Sequence, residues 1–215
     1  MTLGKGNDVI AITGGQINGA IVTGTGNNQL TMSGGAVTGD VNLGNGSNVV
    51  TLMGGQINGS IALGVGNDTV TLFTGSTITG SIDGGGGTNA FVLDGTGSGL
   101  FAGAIGNFQT LTKQNTGTWE LTNSISGATA VAVTGGTLIL SGDSTYTGGT
   151  TIAAGTLQLG NGGTSGSITG DVVNKQWYIR DQPFGHLHLR RRHFRQRLLR
   201  ADRLRDYRAY CQQQL

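Results

Sequence analysis

Two glycine-rich phrases in this chain end on an acid: Gly4-Lys5-Gly6-Asn7-Asp8 and Gly64-Val65-Gly66-Asn67-Asp68. A backbone freed by glycine beside an aspartate is one way to build a calcium loop, and a G-G-x-G-x-D spacing binds calcium in stacked turns. Calcium, however, needs six or more oxygens. The two intervening phrases carry Asn28 and Asn48 where the acids fall, and no nine-residue period exists. Asn and Asp that cap corners, tolerating left-handed geometry and bonding their own backbone, explain the spacing as well. No metal ligand is assigned.

Hydrolysis of a glycan calls for two carboxylates about 5–9 Å apart. The acids of residues 1–174 are Asp8, Asp40, Asp68, Asp83, Asp94, Glu120, Asp143 and Asp171, spread singly along the sequence. Asp40 is expected to stack near Ser60 and Ser81 rather than near a second acid. The only cations in that span are Lys5 and Lys113, with no Arg or His to serve as a lyase base. Gly84-Gly85-Gly86-Gly87 is followed by neither a helix signal nor a lysine, so it reads as a corner and not as a phosphate cradle. His186 and His188 alternate as strand neighbours would, but no third ligand is placed. Cys211 is single and forms no internal disulfide. Trp119 reads as a ring packing between turns or shielding an end of the stack, rather than as a sugar platform. The sequence therefore assigns no catalytic residue, cofactor or metal, and the expectation is that the chain is not an enzyme.

What must be positioned is instead a periodic scaffold. Gly4 to Thr23 reads GKGNDVIAITGGQINGAIVT, and the next three stretches repeat it: GTGNNQLTMSGGAVTGDVNL, GNGSNVVTLMGGQINGSIAL and GVGNDTVTLFTGSTITGSID. A short fixed period means that each unit is one turn of a stack and buries its apolar face only against its neighbours. Within a unit the apolar residues alternate, a strand signal. Ile10, Leu30, Val50 and Val70 share one column, with Ile12, Met32, Leu52 and Leu72 beside it on the same face. The second half repeats the scheme with Ile17, Val37, Ile57 and Ile78, then Ile21, Val41, Ile61 and Ile82. Each unit is thus expected to offer two short strands, divided by Gly14-Gly15, Gly34-Gly35 and Gly54-Gly55. Asn27, Asn28 and Asn48 are placed to pass hydrogen bonds between turns. A parallel β-helix fits. Twenty residues is too short for a propeller blade, and no unit carries a helical amphipathic run.

Thr88-Asn89-Ala90-Phe91-Val92-Leu93 continues the inward columns with a slip of one residue. From about Gly106 a second phrase takes over, with Gly136-Thr137-Leu138-Ile139-Leu140 and Gly155-Thr156-Leu157-Gln158-Leu159 joined through Tyr146-Thr147-Gly148-Gly149-Thr150-Thr151. Roughly residues 106–174 resemble the autotransporter-associated β-strand repeat of passenger regions in large Gram-negative surface proteins. That resemblance implies a right-handed β-helix exported to the cell surface and often serving in adhesion. It also implies host surface glycans or proteins, or other β-helices, as partners. No signal peptide begins at Met1, and the outer-membrane barrel that the parent would carry does not follow.

The chain changes character near residue 175. Residues 1–174 hold 41 of the 42 glycines and carry a net charge of −6, from two lysines against eight acids. Residues 175–215 hold all ten arginines and carry +8, from those and Lys175 against Asp181, Asp202 and Asp206. Such a tail ordinarily points to nucleic acid or acidic membranes. With arginine in its common CGG form, however, the codons of Arg190 to Arg197 read one nucleotide later spell glycine-rich repeat sequence. The favoured reading is a change of frame near Asn174 or Lys175, with the rest out-of-frame, disordered or partly helical around residues 187–209. No specific nucleic acid is expected.

The expectation is an all-β, right-handed parallel β-helix. Its units are residues 1–105 in 20-residue repeats, 106–174 as autotransporter-associated repeats, and 175–215 as an Arg-rich tail. The function expected is that of a non-catalytic, surface-exposed passenger fragment. The alternatives are a carbohydrate-active β-helix enzyme and nucleic-acid binding through the tail. Open ends of the stack are expected to promote end-to-end association.

Overall fold

The computed structural model describes residues 1–127 and 129–175. Every paired strand among them is parallel, and no helix occurs. The strands form three sheets that line the three walls of a solenoid, the largest of them making wall one and the first part of wall two. Wall one stacks Val9–Ile12, Gln29–Val37, Val49–Ile57, Thr69–Phe73, Ala90–Asp94, Thr110–Lys113, Ala130–Val133, Thr150–Ile152 and Val172–Asn174 in sequence order. Wall three stacks Ile21–Val22, Val41–Asn42, Ile61–Ala62, Ile82–Asp83 and Ile105–Gly106, extended by a bridge from Ile105 to Ile125.

Wall two begins as Gln16–Ile17, which pairs with the second half of Gln29–Val37, and continues through Val49–Ile57 to Ser76–Ile78. Ser98–Phe101 packs on that strand and opens a separate ladder of Thr118–Leu121, Thr137–Leu140 and Thr156–Leu159. Each coil therefore has three sides, where the sequence predicted two strands. The difference arises at the double glycines. Gly35 and Gly55 adopt φ of 77° and 82°. This left-handed geometry bends the chain from wall one into wall two without ending the strand. The register shifts between Met32 and Ala36 mark the bend. Hydrogen bonding thus runs through the glycines predicted to interrupt it, and the third side starts beyond Gly19, Gly39 and Gly59.

The columns stand as the alternation predicted. Ile10 pairs with Leu30, Leu30 with Val50, and Val50 with Val70. The one-residue slip falls before residue 88, in the bend between Leu72 and Ser76, since Leu52 pairs with Leu72 but Ile57 with Ile78; Val70 then meets Phe91, followed by Leu111 and Val131. Ile17, Val37, Ile57 and Ile78 align in turn, as do Ile21, Val41, Ile61, Ile82 and Ile105. These inward residues are almost all buried and form one continuous apolar core. Around Phe91 the core holds a ring cluster, with Phe108 edge-on to Phe91 at 5.2 Å and Phe101 tilted at 6.4 Å. Ladder pairing runs without a break past residue 105, since Ala90–Asp94 pairs with Thr110–Lys113 and Ser98–Phe101 with Thr118–Leu121. In the later coils, Leu138 pairs with Leu157 and Leu140 with Leu159.

Candidate functional site

The glycine-rich phrases fold as the corner between wall three and wall one, and their polar residues form two adjacent ladders. In the inner ladder each backbone N–H donates to a side-chain oxygen one coil further on. Asp8 donates to Asn28 at 2.9 Å, Asn28 to Asn48 at 3.0 Å, Asn48 to Asp68 at 2.7 Å and Asp68 to Asn89 at 2.9 Å. In the outer ladder the direction reverses: Asn27 N–H donates back to Asn7, Ser47 to Asn27, and Thr88 to Asn67. The inner amides also close the corner. Asn48 Nδ2 reaches the carbonyls of Gly44, Gly46 and Leu63 at 3.0, 3.0 and 2.9 Å. Asn28 and Asn89 do the same, to Gly26 and Leu43 and to Gly84 and Asn107. The corner reading of these residues accounts for what they do. Asp8 and Asp68 lie in one column, separated by two intervening coils, and the described residues contain no group of three or more His, Cys, Asp or Glu able to hold a metal.

Asp40, Glu120 and Asp143 are taken up by neighbouring coils. Asp40 Oδ1 accepts the Ser60 N–H at 2.7 Å, and Ser60 Oγ accepts the Ser81 N–H at 3.2 Å, so the outward column of small polar residues stacks as expected. Glu120 accepts Ser141 Oγ at 2.5 Å and Asn161 Nδ2 at 3.2 and 3.1 Å through its two oxygens. Asp143 Oδ1 accepts the Gly166 and Ser167 N–H groups and the Ser167 hydroxyl at 2.8–3.0 Å. Those bonds, the Ser167 backbone foremost, hold its carboxyl below the usual carboxylate range. A shallow depression of about 570 Å³ on wall three is lined by Lys5, Thr25, Asn42, Asn45 and Asp83 among others. Asp83 is the one acid in that lining, and it is engaged by the Gly85 N–H and by Asn107 Nδ2.

Sequence reasoning missed one cluster. Lys113 occupies the inward column that runs Leu72, Leu93, Lys113, Val133, Ile152, and it is fully buried. Its ammonium donates to the carbonyls of Gln114, Asn115 and Gly135 at 2.6, 3.0 and 3.3 Å. Burial pulls its pKa down and the nearby Asp94 charge opposes that. Asp94, one coil back and also buried, feels burial most strongly. Bonds from Gln114, the Gly95 N–H and Asn115, together with Lys113, outweigh burial and hold it below the usual range. Trp119 closes the group, donating from Nε1 to the Asp94 carbonyl at 2.8 Å with its ring over Gly99. The ring is 1% exposed, so it packs between coils as read from the sequence. The signal for Lys113 was present, because Leu111-Thr112-Lys113 falls in register with Phe91-Val92-Leu93. With all three protons donated to carbonyls, this lysine braces a corner and offers no nucleophile.

His186, His188, Cys211, the frame change and the helix around 187–209 lie outside the described residues, as does all of the tail beyond Lys175.

Residues 111–132 and 135–159 match the passenger-associated-transport-repeat family. The chain thus carries autotransporter-associated repeats, which imply a cell-surface or extracellular place. Over 37 residues it is 62% identical to the adhesin BmaC autotransporter of Brucella suis biovar 1 (strain 1330). The aligned stretch is 17% of this chain and 1% of that protein. No solved structure matches.

Proposed function

We propose that this chain is a segment of a non-catalytic passenger: a rod displayed at the bacterial surface that contributes to adhesion or holds a distal module away from the membrane. The observation that carries the reading is the single uninterrupted stack. The 20-residue coils and the coils of the passenger repeats share one apolar core, and wall one continues through both. A stack of nine wall-one strands spaced about 4.8 Å apart is roughly 40 Å of rod. Its partners, on this proposal, are host surface glycans or proteins, or other β-helices, met by the repeated Thr, Ser and Asn rows.

The resemblance to an adhesin autotransporter supports this over a carbohydrate-active enzyme, as does the engagement of Asp40, Asp83, Asp94, Glu120 and Asp143 by amide, hydroxyl and backbone donors. The test is display of residues 1–174 on a heterologous outer-membrane barrel. Cells bearing the rod should retain on immobilised host-matrix proteins or glycans where cells bearing the barrel alone do not. Equal retention of the two, or release of reducing sugar from a polysaccharide by the displayed rod, would overturn it.

A further inference from the structure

The inner corner ladder contains two acids, Asp8 at its first coil and Asp68 inside it, each with a buried Oδ2 that has no hydrogen-bond partner, and Asp68 alone has amides on both sides. Asn28, Asn48 and Asn89 each accept a backbone N–H through the side-chain oxygen and donate through Nδ2 to backbone carbonyls inside the corner. Asp68 stands between Asn48 and Asn89 in the same column. Its Oδ1 accepts the Asn48 N–H as an asparagine oxygen would. Its Oδ2, the counterpart by register of the neighbours' amide nitrogen, is buried and has no hydrogen-bond partner. The whole residue is 1% exposed. By register, the carbonyls that correspond to those served by Asn48 are Gly64, Gly66 and Gly84.

An ionised Oδ2 directed at carbonyl oxygens brings like partial charges together with no donor between them. A buried polar atom left so costs more than the bond it forgoes. A cation does not resolve this. In the neighbouring coil the amide nitrogen sits 2.9–3.0 Å from all three carbonyls, and an oxygen taking that place by register leaves no volume for an ion. A proton fits, because a carboxylic O–H donates where N–H donates next door.

We propose that Asp68 is a proton-binding latch: its carboxyl carries a proton in the folded rod and donates through Oδ2 to the corner carbonyls, and loss of that proton loosens the contact between successive coils. Burial raises the Asp68 carboxyl above the ordinary aspartate range, against the opposing effect of the Asn48 bonds. The side chains packed against it from the coils on either side, Asn48 and Asn89, do not titrate. Wall three brings Asp83, which is exposed and held outward by Gly85 and Asn107. A carboxyl with a raised native pKa stabilises the fold fully below the unfolded pKa. That contribution is lost as pH rises through the native value.

The experiment compares the full chain with its Asp68→Asn variant in thermal unfolding from about pH 4 to about pH 8. The variant should match the parent at the acid end and exceed it increasingly towards the alkaline end. The folded-to-unfolded ratio should differ by about tenfold for each pH unit between the unfolded and native pKa. A constant offset at every pH, or a variant less stable than the parent at the alkaline end, would overturn the latch. Isotope-edited infrared spectroscopy of the parent provides a second readout that needs no variant to fold. A protonated aspartate carbonyl band should persist at pH values where free aspartates are ionised, and its absence there would also overturn the proposal.

Discussion

A single lysine in an aliphatic file shows how a solenoid core tolerates polarity. Lys113 replaces a leucine or valine in its column, yet its ammonium satisfies three carbonyls around the left-handed Asn115 corner, where φ is 59°. Substitution by Met keeps the volume but orphans those carbonyls, and should cost about 2 kcal/mol. Substitution by Ala adds a cavity and should cost about 4 kcal/mol. Chemical denaturation of the two variants checks the order, and an Ala variant no worse than Met would refute the bracing role. Asp143 gives the opposite pH dependence to Asp68. With its native pKa lowered, its stabilisation is present above the ordinary carboxylate range and fades as pH falls through the native value. Asp143→Asn should therefore flatten part of the acid limb of the stability curve, as read by unfolding midpoints from about pH 5 downward. Neither behaviour was legible in the sequence. Alternation marks the column in which a residue falls, whereas the donors that meet it come from coils 20 or more residues away.

At the scale of the strand and its corner, glycine records close approach of one coil to the next. A methyl group on Gly24 would lie 2.4 Å from the Gly4 carbonyl oxygen, although Gly24 itself has an ordinary φ. The same group on Gly4 meets nothing within 4 Å. Gly24→Ala should lower stability by about 2 kcal/mol or more, while Gly4→Ala stays within about 0.5 kcal/mol of the parent. Equal effects at the two positions would show that backbone entropy, and not contact between coils, sets the need for glycine. Here the sequence was informative and also misleading. The recurrence of Gly14-Gly15 and its equivalents correctly marked a tight bend. It was read as a strand boundary because glycine usually weakens strands, and only the pairing of Ala36 with Gln56 beyond the bend shows that the ladder continues. The branched columns were fully legible, since a period of 20 with internal alternation leaves one way to bury them.

Along the described rod the strand ladders join adjacent coils, with the Asn161–Glu120 bond reaching past one coil, so stability is close to a sum over coils and their interfaces. Residues 44–63 form one repeat, and their removal joins Leu43 to Gly64 in the same corner context that Gly44 had. The shortened chain should keep its β spectrum and lose about 4.8 Å of length by small-angle scattering. Loss of the β signal would mean that the coils are not interchangeable. The extra residue between Leu72 and Ser76, after which the spacing is 21 while Phe91 still meets Val70, shows that the walls hold register when a coil changes length. Reach at the surface is therefore a quantity that unequal recombination between like repeats can adjust in steps of one repeat. A lineage can lengthen or shorten this rod without redesigning a single contact.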